Sequence, residues 1–113
     1  MLFAFGWDAF WGTDAYQAYL FIGADLVDAL IARGVKLVGV DTGNMDDARD
    51  PIRPAHTRFF KNEVLIVENL RNLAALRGKA FRFFALPIKA RRVGSMPVRA
   101  FAEVIEAEGG ANA

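Results

Sequence analysis

The sequence predicts a mixed α/β domain, and three features predict it. Residues Gly23 to Arg33 carry a helical apolar face and run straight into the continuous apolar segment Val35 to Val40, an α-then-β unit. That segment ends in a polar loop, Asp41 to Pro54, with a glycine and two prolines, at the kind of strand end where open α/β sheets place ligands. Further short apolar runs bounded by turn residues follow it to the end of the chain.

Taken in order, Leu2 to Phe5 is a short apolar run closed by Gly6 and reads as a buried strand. Trp7 to Phe21 mixes aromatics with Gly12, Thr13 and Asp14 without a clear period, so it reads as a loop with a helical turn. In Gly23 to Arg33 the residues Leu26, Val27, Leu30 and Ile31 share one face, Asp25 and Asp28 sit toward the positive N-terminal end, and Gly34 suits the left-handed cap. Val35 to Val40 is a strand buried on both faces. Ala55 to Lys61 reads as a short helix with Pro54 at its start. Val64 to Val67 is a strand, ended by Glu68 and Asn69. Leu70, Leu73 and Leu76 predict 3₁₀ or helical turns ended by Gly78, and Phe81 to Ile88 and Pro97 to Val104 are the last strands.

Apolar residues make up 54% of the 113 positions and charged ones 24%, with ten Phe and two Trp, which excludes a chain disordered for want of apolar surface. A domain this small hides only about two-thirds of its unfolded surface, so this apolar load predicts cover by another chain, a homo-oligomer such as a dimer. The net charge of +1 gives no field for nucleic acid or anionic lipid. The absence of cysteine removes disulfides, thiolate nucleophiles and cysteine zinc sites, in keeping with a cytoplasmic protein. Met1 to Asp8 has no basic segment and too short an apolar run for a signal peptide, and no stretch is long enough to span a membrane.

The chemistry-bearing candidates are His56, the lone histidine, and Glu68, a carboxylate ending an apolar strand twelve residues later. Imidazole and carboxylate are normal zinc or manganese ligands. On spacing alone, however, the reading favoured for His56 is a surface residue at a helix start, and for Glu68 a strand-end acid bonded to backbone N–H groups. Asp41, Asp46, Asp47 and Asp50 crowd one loop at spacings foreign to an EF-hand and read as turn formers. Thr42 to Asn44 is likewise turn chemistry, and no P-loop, dinucleotide glycine pattern or nucleophile elbow is present.

Gly34 to Asp41, Pro54 to His56, Leu65 to Leu70 with Asn72 and Leu73, Phe83 to Ile88, and Pro97 to Ala100 together resemble the cyclase family, best known from bacterial kynurenine formamidases. The resemblance runs from about Val35 to Ala102, with a looser match back to Gly6 and Trp7. It implies an N-terminally truncated swivelling β/β/α domain over residues 1–105, with a mixed sheet and flanking helices; the tail at 106–113, with Gly109 and Gly110, reads from its own residues as frayed and disordered. It also implies one or two divalent metals, zinc or manganese, with His56 and Glu68 as ligands from the C-terminal half. The family's remaining ligands come from a His-x-Gly-Thr-His-x-Asp-x-Pro-x-x-His stretch, which a chain with a single histidine does not contain, and the family's acid–base histidine is missing too. Arg99 reads as structural.

The resemblance thus implies a metal-dependent hydrolase of arylformamides or cyclic amides, as in tryptophan catabolism, inactive alone and completed by a chain that carries the missing N-terminal half. The alternative is a non-catalytic remnant that oligomerises as a structural or interaction module.

Overall fold

The computed structural model describes residues 1–106. The chain divides into two compact units, Met1–Ala74 and Ala75–Ala113. The expected tail lies, beyond Glu106, outside the described residues.

The first unit is a βαβαβ chain: β1 (Leu2–Phe3), α1 (Ala24–Ala32), β2 (Leu37–Val40), α2 (Pro54–Lys61) and β3 (Leu65–Val67). Its three strands form a parallel sheet with β2 in the centre, Leu2 opposite Gly39 on one side and Val38 opposite Ile66 on the other. A helix in each connection is what lets successive strands run parallel. Two 3₁₀ turns, Trp7–Phe10 and Asp14–Gln17, occupy the segment read from sequence as a loop with a helical turn.

Helix α1 ends as its sequence predicts. Gly34 is left-handed at φ 73°, its N–H donates to Ile31, and the Val35 N–H donates to Leu30. These two bonds are a Schellman cap, which satisfies carbonyls that the helix end leaves free. Val27 and Leu30 are buried, whereas Leu26, expected inside, lies at the edge of the apolar stripe and is 39% exposed. Helix α2 ends in the same way, but the left-handed position is Glu63 at φ 59°, with Glu63 N–H bonded to Phe60 and Val64 N–H to Phe59.

The core gathers Ile22, Val27, Leu30, Val38, Val40, Met45, Ala55, Phe59 and Val64 between sheet and helices. Phe59 is fully buried, and burial of a side chain of this kind stabilises by about 1.5–3 kcal/mol.

Strand β1 stops two residues earlier than expected, for a visible reason. The N–H groups of Phe5 and Gly6 both donate to the Asp41 carboxylate at 2.9 Å, a bond pattern that replaces a strand ladder.

The second unit holds β4 (Ala80–Pro87) and β5 (Val98–Ile105), paired antiparallel from Ala80 opposite Ile105 to Pro87 opposite Val98. The strands therefore form two sheets, one parallel and one antiparallel, where a single mixed sheet was expected. The Phe84 and Phe101 rings stack across the ribbon at 4.8 Å, and the Arg99 guanidinium lies 5.9 Å from the Phe101 ring centre, a cation–π contact.

Candidate metal centre

His56 is the third residue of α2, and the helix start fixes it through Asp46. The Asp46 carboxylate is 1% exposed and lies at the positive end of the helix. One oxygen accepts from Ala55 N–H at 2.7 Å, and the other accepts from His56 N–H at 2.9 Å and contacts the ring nitrogen Nδ1 at 2.7 Å. Arg53, at the capping position, makes no side-chain cap bond, so Asp46 does that work from ten residues ahead of His56. The imidazole also meets the Phe60 ring edge-on at 5.7 Å, one helical turn along.

With Nδ1–H directed at Asp46, Nε2 is left facing Glu68. Glu68 follows the last residue of β3, and its Oε1 lies 3.0 Å from His56 Nε2 while accepting from Met45 N–H at 2.9 Å. The His56 side chain is 12% exposed and that of Glu68 25%, so the pair is half-buried with an open side. His56 is thus not the surface residue that spacing alone favoured.

The four loop acids divide into two kinds. Asp47 and Asp50 are turn formers, accepting from Arg49 N–H and Ile52 N–H two residues on. The Arg49 guanidinium beside Asp47 holds that carboxyl below its ordinary range. Asp41 and Asp46 instead face inward, 1% exposed each, and bond to distant backbone. Sequence reading placed all four in the first class and missed Asp46 as the partner of His56.

The donor set suits a divalent cation. A metal-bound histidine normally gives its other ring N–H to a carboxylate or carbonyl, which fixes tautomer and ring angle, and Asp46 stands in that place. Two ligand atoms about a tetrahedral zinc lie roughly 3.3 Å apart for bonds of about 2.0–2.1 Å, so the pair at 3.0 Å has only to open by a few tenths of an ångström. Among the described residues, no group of three or more His, Cys, Asp or Glu is arranged to hold a metal ion.

A cavity of about 330 Å³ adjoins the turn after Glu68, lined by Asp8, Trp11, Tyr16, Asn69, Leu70 and Arg71. Trp11 and Tyr16 meet edge to face at 5.2 Å. No helix among the described residues is long and apolar enough to cross a membrane.

No family profile matches the chain. It is 33% identical over 98 residues to an uncharacterized protein of Methanocaldococcus jannaschii, a match that covers 86% of this chain and 50% of that protein. Among solved structures it is similar to a potential metal-dependent hydrolase with cyclase activity, at a TM-score of 0.56 and 24% identity, over 73% of this chain and 40% of the other. The likeness to the solved structure is one of fold. The chain spans about half the length of the curated relative it matches.

Proposed function

We propose that this chain supplies part of the metal centre of a hydrolase with the swivelling β/β/α fold, His56 and Glu68 serving as ligands and Asp46 as the group that orients His56. The observation that carries this reading is the 3.0 Å approach of His56 Nε2 to Glu68 Oε1 with a buried carboxylate on Nδ1. The fold likeness to a potential metal-dependent hydrolase supports it.

A bound zinc or manganese ion acts as a Lewis acid and makes water a nucleophile near neutral pH. For their part, Asp46 accepts from Nδ1–H and so turns Nε2 toward Glu68, where a cation would take the place of a proton between them, and the Met45 N–H holds one of the Glu68 oxygens there. A catalytic zinc takes about three protein ligands and keeps an open position. The described residues offer two, so the remaining ligands and the base would be supplied from elsewhere, by a polypeptide segment bearing the His-x-Gly-Thr-His-x-Asp motif or by an assembly of copies. The substrate class that fits such a centre is an arylformamide or cyclic amide, whose amide bond is what a metal-dependent hydrolase of this kind would cleave.

Equilibrium dialysis with metal analysis tests the reading. The chain should bind zinc, and His56→Ala or Glu68→Gln should weaken binding at least about 10-fold, because each removes one of two ligands. In excess zinc or manganese the chain alone should not hydrolyse N-formylkynurenine above the uncatalysed rate. Absence of zinc binding would favour the non-catalytic module, and turnover lost on His56→Ala would overturn the shared site.

A further inference from the structure

Glu68 can hold its place only if the chain turns sharply after it, and that turn is built from Asn69. Asn69 is left-handed at φ 60°, a conformation that Asn tolerates better than most residues but that still costs about 1 kcal/mol. Two backbone bonds tie the turn to the end of β2: Asn69 N–H to Thr42 at 2.8 Å and Leu70 N–H to Val40 at 3.0 Å. The side chain is tied separately, since its Oδ1 accepts from the Tyr16 hydroxyl at 2.8 Å.

Tyr16 is itself held. It is 7% exposed, Trp11 meets its ring edge-on, and its backbone carbonyl accepts from the Trp7 indole N–H at 3.2 Å. Its ring lies against Gly43, where an added Cβ would stand 3.2 Å from the Tyr16 Cε2 and 3.7 Å from the Asn69 Oδ1. Glycine at 43 therefore leaves room for the contact between Tyr16 and Asn69. Burial, and then the carboxylates of Asp41, Asp8 and Glu68, push the phenol's pKa up, so it remains a proton donor through neutral pH.

We infer that Tyr16 is a positioning residue for Glu68: its hydroxyl holds Asn69 in the left-handed turn that aims the Glu68 carboxylate at His56 Nε2 and Met45 N–H. The contact spans 53 residues of sequence, so the segment before α1 is coupled to the proposed ligand pair. The part of this inference that concerns metal affinity rests on the function proposed above; the part that concerns Glu68's position does not.

The test is NMR of the ¹⁵N-labelled chain, in which the single histidine gives one unambiguous set of ring signals. The chain is compared with Tyr16→Phe, Asn69→Gly and Asn69→Asp, first without metal and then in a zinc chloride titration. Tyr16→Phe should move the His56 ring signals and the Met45 amide, both of which report on Glu68, and should weaken zinc about 10-fold, as loss of a supporting hydrogen bond does. Asn69→Gly keeps the turn but loses the acceptor, and should behave like Tyr16→Phe. Asn69→Asp keeps an acceptor and should restore the Met45 amide position. Unchanged His56 and Met45 signals in metal-free Tyr16→Phe and Asn69→Gly would overturn the inference. Zinc that leaves the His56 signals of the unaltered chain in place would instead overturn the proposed function, whatever the variants show without metal.

Discussion

Asp46→Asn is the most telling single change, because the amide is nearly the same size as the carboxylate and differs in what it can accept. Both Asp46 oxygens receive backbone N–H groups, one from Ala55 and the other from His56, which also brings its ring nitrogen to the second oxygen. Asparagine has only one acceptor oxygen, so in either orientation an NH₂ group faces a buried N–H. Turned toward Ala55 it leaves one donor unsatisfied; turned toward His56 it leaves the backbone N–H unsatisfied and forces Nδ1 to accept, which moves the ring proton to Nε2. An unsatisfied buried donor costs about 1–3 kcal/mol, and loss of negative charge at a helix start adds about 0.3–1 kcal/mol. The expected destabilisation is about 3 kcal/mol, a fall in Tm on the order of 10–20 °C for a domain of this size. Urea unfolding followed by circular dichroism measures it, with ¹⁵N signals of the His56 ring read alongside. A variant within about 0.5 kcal/mol of the parent, with an unchanged ring, would refute the placement of Asp46 as both cap and histidine partner.

Two further substitutions probe the frame that carries the site. Glu63→Gly should stabilise by about 0.5–1 kcal/mol in the same urea assay, since Glu63 occupies at φ 59° the cap position that glycine takes without steric cost in the other helix. Phe59→Ala should destabilise by about 3–5 kcal/mol, because Phe59 is fully buried in the core that sets α2 on the sheet, and a chain that keeps its cooperative melt near the parent Tm would contradict that core.

Much of the first unit was legible in the sequence because its signals are local. Gly34 after an apolar helical face, Pro54 at a helix start and the apolar run before Asp41 each act through neighbouring residues, and α1, β2 and α2 lie where those signals put them. The short reach of β1 was not legible, because the Asp41 carboxylate that captures Phe5 and Gly6 lies more than thirty residues away. The division of the strands into two sheets was missed for a related reason. The strand patterns of Phe81 to Ile88 and Pro97 to Val104 announce strands but do not name their partners, and only the pairing of β4 with β5 across a helix-free connection makes that ribbon antiparallel.

The site shows the same boundary between local and distant information. His56 and Glu68 stand out by residue type, yet which loop acid would meet the histidine depended on where the loop's own donors are spent. Asp47 and Asp50 each take the N–H two residues ahead, the Asx pattern that a sequence reader rightly expects of turn aspartates. At Asp46 that local donor is already taken, because the Ala48 N–H goes to the Tyr19 hydroxyl at 2.9 Å, and the same hydroxyl donates to the Asp46 carbonyl at 3.0 Å. A carboxylate without its local donor must find others before it can be buried, since an unpaired buried charge is prohibitively costly. The nearest unspent donors are the free N–H groups at the start of α2, and by turning to them Asp46 reaches the Nδ1 of His56 as well. Tyr19, far from His56 and Glu68 in sequence, thus helps decide which aspartate the histidine receives.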